Sequence, residues 1–165
     1  MAIRAWLSTL RSTLIGAGIV TLLLCQPFCG FMLFLVLLFL LPWLVASLWI
    51  GFRHPEQRAR RASQAAIWLC CVSLIVGVHV YRATSTRHHA QLLVEKVIAY
   101  RQSHGRYPAT AQALGYSDKQ LRELFVMGGY FLTDGKPYLF YASTYMPFES
   151  ESYDFALRQW QHQGR

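Results

Sequence analysis

Arg53-His-Pro-Glu-Gln-Arg-Ala-Arg-Arg61 is the stretch that orders the rest of the chain. Four of its nine residues are arginines, against one glutamate. On each side lies a run without charge, Ile15 to Phe52 before it and Ala62 to Tyr81 after it. Phe31 to Phe52 alone is 22 residues rich in Leu, Phe and Val. At about 1.5 Å per helical residue, it reaches across a hydrocarbon core of about 30 Å. Ala65 to Tyr81 makes a shorter span with Trp68 and Tyr81 near its ends, where amphipathic rings are favoured. A basic segment between two apolar ones is cytoplasmic by the positive-inside rule. Both flanking spans then leave toward the opposite side.

A third apolar run, Ser12 to Cys29, holds Gly16, Gly18 and Gln26-Pro27. A signal peptide is the rival reading, with Arg4 and Arg11 as its basic region. No small-x-small site follows the run, and Leu24 is wrong before a lipoprotein cysteine at Cys25. The expectation is an uncleaved span turning at Gln26–Gly30. The spans are then about 12–29, 31–52 and 65–81, with a cytoplasmic N-terminus. Residues 1–82 form a membrane helical bundle, and residues 83–165 an extracytoplasmic α+β domain. Pro42 is tolerable within a membrane helix whose neighbours satisfy the freed carbonyl. His79, near the end of the third span, is expected to snorkel to the interface.

Composition agrees with a membrane anchor. Hydrophobic residues are 54% and charged residues 15%, against about 25% charged in ordinary soluble domains. The net charge of +8 is unevenly placed. Residues 1–82 carry seven Arg and one Glu, or +6; residues 83–165 carry nine Lys+Arg and seven Asp+Glu, or +2. The basic excess flanks apolar segments and makes no stripe on the soluble part, which argues against nucleic acid. Of four cysteines, Cys25 and Cys29 bracket a turn, where a disulfide is compatible with an oxidising compartment. Packing is the alternative for them, as for Cys70-Cys71.

After the third span the helical period continues. Ala90, Leu93, Val94, Val97, Ile98 and Arg101 fall at 3.6-residue spacing within a helix over 84–104. Gly105 is a natural residue after a helix end, and Pro108 prevents resumption. Pro108 to Leu114 suggests one short helical turn stopped by Gly115, and Ser117-Asp-Lys-Gln120 is a capping box opening a helix to Leu124 and Phe125. Gly128-Gly129 reads as a turn entering a β-hairpin, whose own turn is Asp134-Gly135 between Tyr130-Phe-Leu-Thr and Lys-Pro-Tyr-Leu-Phe-Tyr. Alternation over Tyr153-Asp-Phe-Ala-Leu-Arg-Gln-Trp160 predicts a third strand, with Tyr153, Phe155 and Leu157 on one face. The expected fold is a long helix packed on a three-stranded antiparallel sheet.

Two resemblances enter here. The segment Ala99-Tyr-Arg-Gln-Ser-His-Gly-Arg-Tyr-Pro108, between an amphipathic helix and a small meander, resembles type II secretion pseudopilins, which share a Tyr…Gly-x-Tyr-Pro segment where the long helix ends. The chain departs from them in placing this helix after several apolar runs, with no prepilin-peptidase site. The whole layout, with Tyr153-Asp154-Phe155 and Trp160 near its end, resembles inner-membrane immunity proteins of toxins delivered by type VI secretion. That resemblance implies a non-enzymatic protein whose partner is a secreted toxin.

Weighed residue by residue, the domain offers binding chemistry rather than catalysis. His88-His89 point in different directions along a helix, and His104 is too distant to share an ion with them. Glu149, Glu151 and Asp154 lack calcium-loop spacing. No nucleophile elbow, phosphate loop or zinc-binding helix motif is present, and no cofactor is implied. The aromatic density between Tyr130 and Trp160 exceeds what a thin sheet on one helix buries. Tyr141, Tyr145, Phe148 and Trp160 are expected to stay exposed and, with Glu149, Glu151 and Asp154, to contact a protein partner.

Overall fold

The computed structural model describes residues 2–146 and 148–164, with backbone alone for 2–9. Pro147, at the head of the acidic cluster, and the side chain of Arg4 lie outside the described residues. The chain divides into two units, Met1–His79 and Val80–Arg165.

The first unit is helical. It comprises α1 (Ala2–Leu24), α2 (Met32–Arg53) and the first half of α3 (Pro55–His104). Two helices, α2 and α3, are long and apolar enough to cross a membrane. The Ser12–Cys29 run falls short of that standard. Its helix ends at Leu24, and the apolar stretch Leu10–Leu24 is only about 22 Å long at the usual helical rise. The basic loop is also corrected. Only His54 breaks the helices, and the arginines from Arg58 onward lie on the opening turns of α3. Pro55 suits this start, because the first helical N–H has no intrahelical acceptor to lose.

Within this unit Leu24, Leu33 and Ile75 pack together with Val20, Val36, Leu37 and Val72. His79 does not snorkel. It is buried, and its Nε2 lies 2.8 Å from the carbonyl of Leu24. That carbonyl belongs to the last turn of α1, which has no helical donor of its own, so the imidazole serves as a distant cap. At the other end, Gln64 Nε2 donates to Thr13 Oγ1 over 3.1 Å. The two contacts run α1 beside α3 in the same direction. The four cysteines are free thiols.

The second unit is α+β. The far half of α3 presents Ala90, Leu93, Val94 and Val97, all buried, to Phe125, Tyr130, Leu139, Tyr141 and Phe155. The helix ends before Gly105, at φ +68°. A 3-10 turn at Ala111–Leu114 stops at Gly115, and α4 (Asp118–Leu124) opens on the capping box of Ser117 and Gln120.

The sheet has four antiparallel strands rather than three, in the order β1 (Gly128–Thr133), β2 (Lys136–Ala142), β3 (Glu149–Asp154) and β4 (Gln159–Gly164). Asp134 and Gly135 both have positive φ, the two-residue turn that matches strand twist. Gly128-Gly129 belongs to β1, not to a turn. The expected strand over 153–160 is split instead. Asp154 Oδ1 accepts from the amides of Ala156 and Leu157 at 2.8 and 2.9 Å, folding Phe155–Arg158 into a turn. Arg158, at φ +55°, closes it. Phe155 is consequently buried while Leu157 is exposed, so they do not share a face.

Candidate functional site

Register decides which aromatics are available. Tyr130 pairs with Leu139, Leu139 with Tyr153 and Tyr153 with Trp160. Partners directly opposite share a face, and Leu139 is in the core, so this row faces α3. The intervening positions face away. Phe131, Tyr138 and Phe140 stand exposed on the other side, at 50%, 54% and 40% of full exposure. Phe131 stacks on Phe140 with ring centres 5.9 Å apart. Beside them, the same face continues through Ser150 and Ser152 of β3 and the exposed Gln161 and Gln163 of β4. Three aromatic rings next to a row of hydroxyls and carboxamides combine apolar anchors with adaptable hydrogen-bonding groups. This face is the strongest candidate for a protein contact, and its aromatics were not among those singled out from sequence.

The residues singled out from sequence fall in three places. Tyr141 is not exposed. It is 6% accessible, in edge contact with Trp160 at 5.6 Å. Burial, then the Glu151 carboxylate, push its hydroxyl up to about 12, with Arg87 opposing. Trp160 is half-buried, and its Nε1–H donates to Gln91 Oε1 at 3.0 Å. It therefore fastens β4 to α3 instead of standing free. Asp154 is spent on the β3–β4 turn and on Gln161 Nε2 at 3.2 Å.

Glu149 and Glu151 lie in β3 rather than in a loop, on the helix-facing side. His162 sits 3.2 Å from Glu151 and 4.0 Å from Glu149. With Thr86, Arg87, Tyr141 and Thr144 they line a cleft of about 240 Å³. Thr144 Oγ1 is buried there with no hydrogen-bond partner among the described residues. The cleft can accept hydrogen bonds from a cationic or amide group.

Tyr145 and Phe148 remain as expected on the surface. Both lie in the β2–β3 connection, which is closed by the Ser143 amide donating to the Glu149 carbonyl at 2.8 Å. Ser143 Oγ accepts from the amides of Tyr145 and Met146, which shapes the tip. Phe148 is the most exposed large hydrophobic residue among the described residues, at 83%.

Comparison of the chain with protein-family models, with curated proteins and with solved structures returns no match.

Proposed function

We propose that this chain is a non-enzymatic, membrane-anchored protein that binds another protein with its C-terminal unit. The most specific form of the proposal is an immunity factor that neutralises an antibacterial toxin acting at the membrane or in the periplasm. The observation that carries the binding role is the set of exposed aromatics, Phe131, Tyr138 and Phe140, on one sheet face. Removing apolar surface from water favours association at about 25 cal/mol per Å², and Tyr is among the residue types that dominate interface energetics. Phe148 and Tyr145 extend the same chemistry along the β2–β3 connection. The toxin assignment rests on the resemblance through Tyr153-Asp154-Phe155 and Trp160 and on the anchor, since a protector must sit where the toxin arrives.

The placement proposed is the bacterial inner membrane with the C-terminal unit periplasmic. With four arginines at the junction of α2 and α3, the positive-inside rule keeps that junction cytoplasmic and sends α3 outward, whatever α1 does. The pairing of α1 with α3, from Thr13 near Gln64 to Leu24 near His79, supports counting α1 as a third membrane element. A reporter active only outside the cytoplasm should work when fused after Arg165 and fail when fused at Gln57. Inactivity after Arg165 rejects the placement.

The functional test is growth competition against a toxin-delivering neighbour. A deletion strain should lose survival only when the cognate toxin is delivered. Tyr138→Ala with Phe140→Ala should weaken protection without lowering membrane abundance. A second reading, a pseudopilin-like accessory of a pilus or secretion apparatus, is favoured by the helix stop at Gly105 to Pro108, where Tyr130 Oη donates to the Pro108 carbonyl at 2.8 Å. Equal survival of deletion and parent across toxins, with loss of piliation or secretion, selects that reading instead.

A further inference from the structure

A small cleft in the first unit has the chemistry of a lipid headgroup site. On α2, Leu44, Ser47, Leu48, Gly51 and Phe52 recur at one-turn spacing, and on α3 so do Arg58, Arg61, Ala62, Ala65 and Leu69. Each set lies along one side of its helix. The two stripes face each other across a cleft of about 320 Å³. Gly51 faces Arg58 across the cleft: a methyl placed on Gly51 would come into ordinary contact with Arg58 Cγ at 3.9 Å.

Three features of the cleft fit one ligand. Arg58 and Arg61 are among the lining residues, and guanidinium forks match phosphate oxygens. Leu44, Leu48, Ala62, Ala65 and Leu69 make the rest of the lining largely aliphatic. Ser47, also in the lining, is 4% accessible, and its Oγ has no hydrogen-bond partner among the described residues. A serine within a helix ordinarily discharges its hydroxyl on the carbonyl one turn back, so a buried hydroxyl without a partner asks for one. Ser47 lies four residues, about 6 Å, deeper than Gly51. A phosphate held at the level of Arg58 would thus put its glycerol and ester oxygens near the Ser47 hydroxyl, with an acyl chain along Leu44, Leu48 and Leu69.

We propose that this cleft binds an anionic phospholipid, its phosphate on Arg58 and Arg61, its ester region at Ser47 and a chain along the leucines. The proposal rests on the membrane reading, but not on the identity of any protein partner. Basic pockets between membrane helices on the cytoplasmic side have the right charge for such headgroups.

The test uses the full chain purified in a neutral detergent and titrated with phosphatidylglycerol or phosphatidylcholine of identical chains, bound lipid being counted by native mass spectrometry. Phosphatidylglycerol should bind about thirtyfold more tightly, as two basic contacts would give. Arg58→Gln with Arg61→Gln should abolish the preference, and Ser47→Val should weaken binding with the preference kept. Arg60→Gln, a change outside the cleft, should leave binding as it was. Equal binding of the two lipids, or an equal loss in Arg60→Gln, overturns the site. Displacement of the lipid by millimolar inorganic phosphate also overturns it, since a phosphate pocket alone would then suffice. Each variant is compared with the parent by thermal melting in detergent, so misfolding is seen directly. Alkaline extraction of native membranes separates the two claims. A chain released by carbonate refutes the membrane reading itself, whereas a retained chain without lipid preference refutes only the site.

Discussion

Neighbouring residues of β2 should respond in opposite ways to the same truncation. Leu139 is 1% accessible and packs among the α3 side chains, whereas Tyr138, the residue before it, points away from the helix. Leu139→Ala removes buried methyl groups and leaves a cavity, which costs about 2–5 kcal/mol. In a unit of this size each kcal/mol moves the melting midpoint by about 4–8 °C, so a drop of at least about 8 °C is expected. Tyr138→Ala removes only cross-strand contacts on the solvent face, such as those with its register partner Phe131. Such pairs are worth about 0.2–1 kcal/mol, so its midpoint should fall by only a few degrees. Binding should rank the two the other way. An interface aromatic commonly costs about 2 kcal/mol when truncated, about thirtyfold in Kd, whereas Leu139→Ala should leave the affinity of the folded fraction nearly unchanged. The assay is thermal melting by circular dichroism of the unit from Val80 onward, paired with partner titration by calorimetry. Equal destabilisation by the two variants would refute the register on which the candidate interface stands.

Two further outcomes follow from particular atoms. An alanine Cβ at Gly128 would stand 2.2 Å from the Phe140 carbonyl oxygen at φ +127°, while one at Gly115, at φ +84°, meets nothing within 4 Å. Gly115→Ala should therefore cost about 1–2 kcal/mol and Gly128→Ala clearly more in denaturant titration; equal costs would contradict the close strand approach at Gly128. Burial, and then Tyr107, push the Tyr130 hydroxyl up to about 12 from 10.0. The unfolded chain therefore ionises first, so this contribution to stability is intact below pH 10 and is lost as pH rises from about 10 to 12. Tyr130→Phe should flatten that part of the decline in urea melts taken across the range, and an unchanged slope would remove Tyr130 as its source.

The elements that the sequence announced are those where one face is buried or a backbone rule is local. The stripe Ala90, Leu93, Val94 and Val97 signals its helix because every member is buried against the same layer. Ser117 with Gln120, Gly105 and Asp134-Gly135 act through their own backbone hydrogen bonds or φ angles, so no tertiary information is needed to place them. β3 and β4 escaped for the opposite reason. Glu149-Ser-Glu-Ser-Tyr-Asp and Gln159-Trp-Gln-His-Gln-Gly each place a single aromatic, Tyr153 or Trp160, against the core. Neither strand carries an apolar period along its own length, and the alternation over 153–160 runs across the turn between them. The turn between them depends on the Asp154 carboxylate folding back on two amides, and that choice competes with an extended strand that looks equally good in sequence.

The candidate interface was obscured by a different ambiguity. Lys136-Pro-Tyr-Leu-Phe-Tyr-Ala142 is apolar at both parities, so alternation alone does not say whether Tyr138 and Phe140 or Leu139 and Tyr141 face the helix. Taking Tyr141 as an exposed anchor assumes one parity, and the fold adopts the other. The information that settles it is long-range: Leu139 is opposite Tyr153, and Tyr153 is opposite Trp160, whose indole reaches Gln91 on α3. Once that row is inward, Tyr138 and Phe140 must be outward, and among the described residues they stay about half exposed. A strand that is apolar on both faces, in a sheet with a helix on only one, has more apolar surface than its own fold can hide. That surplus, more than any single residue type, is the physical reason to look for a partner on this face.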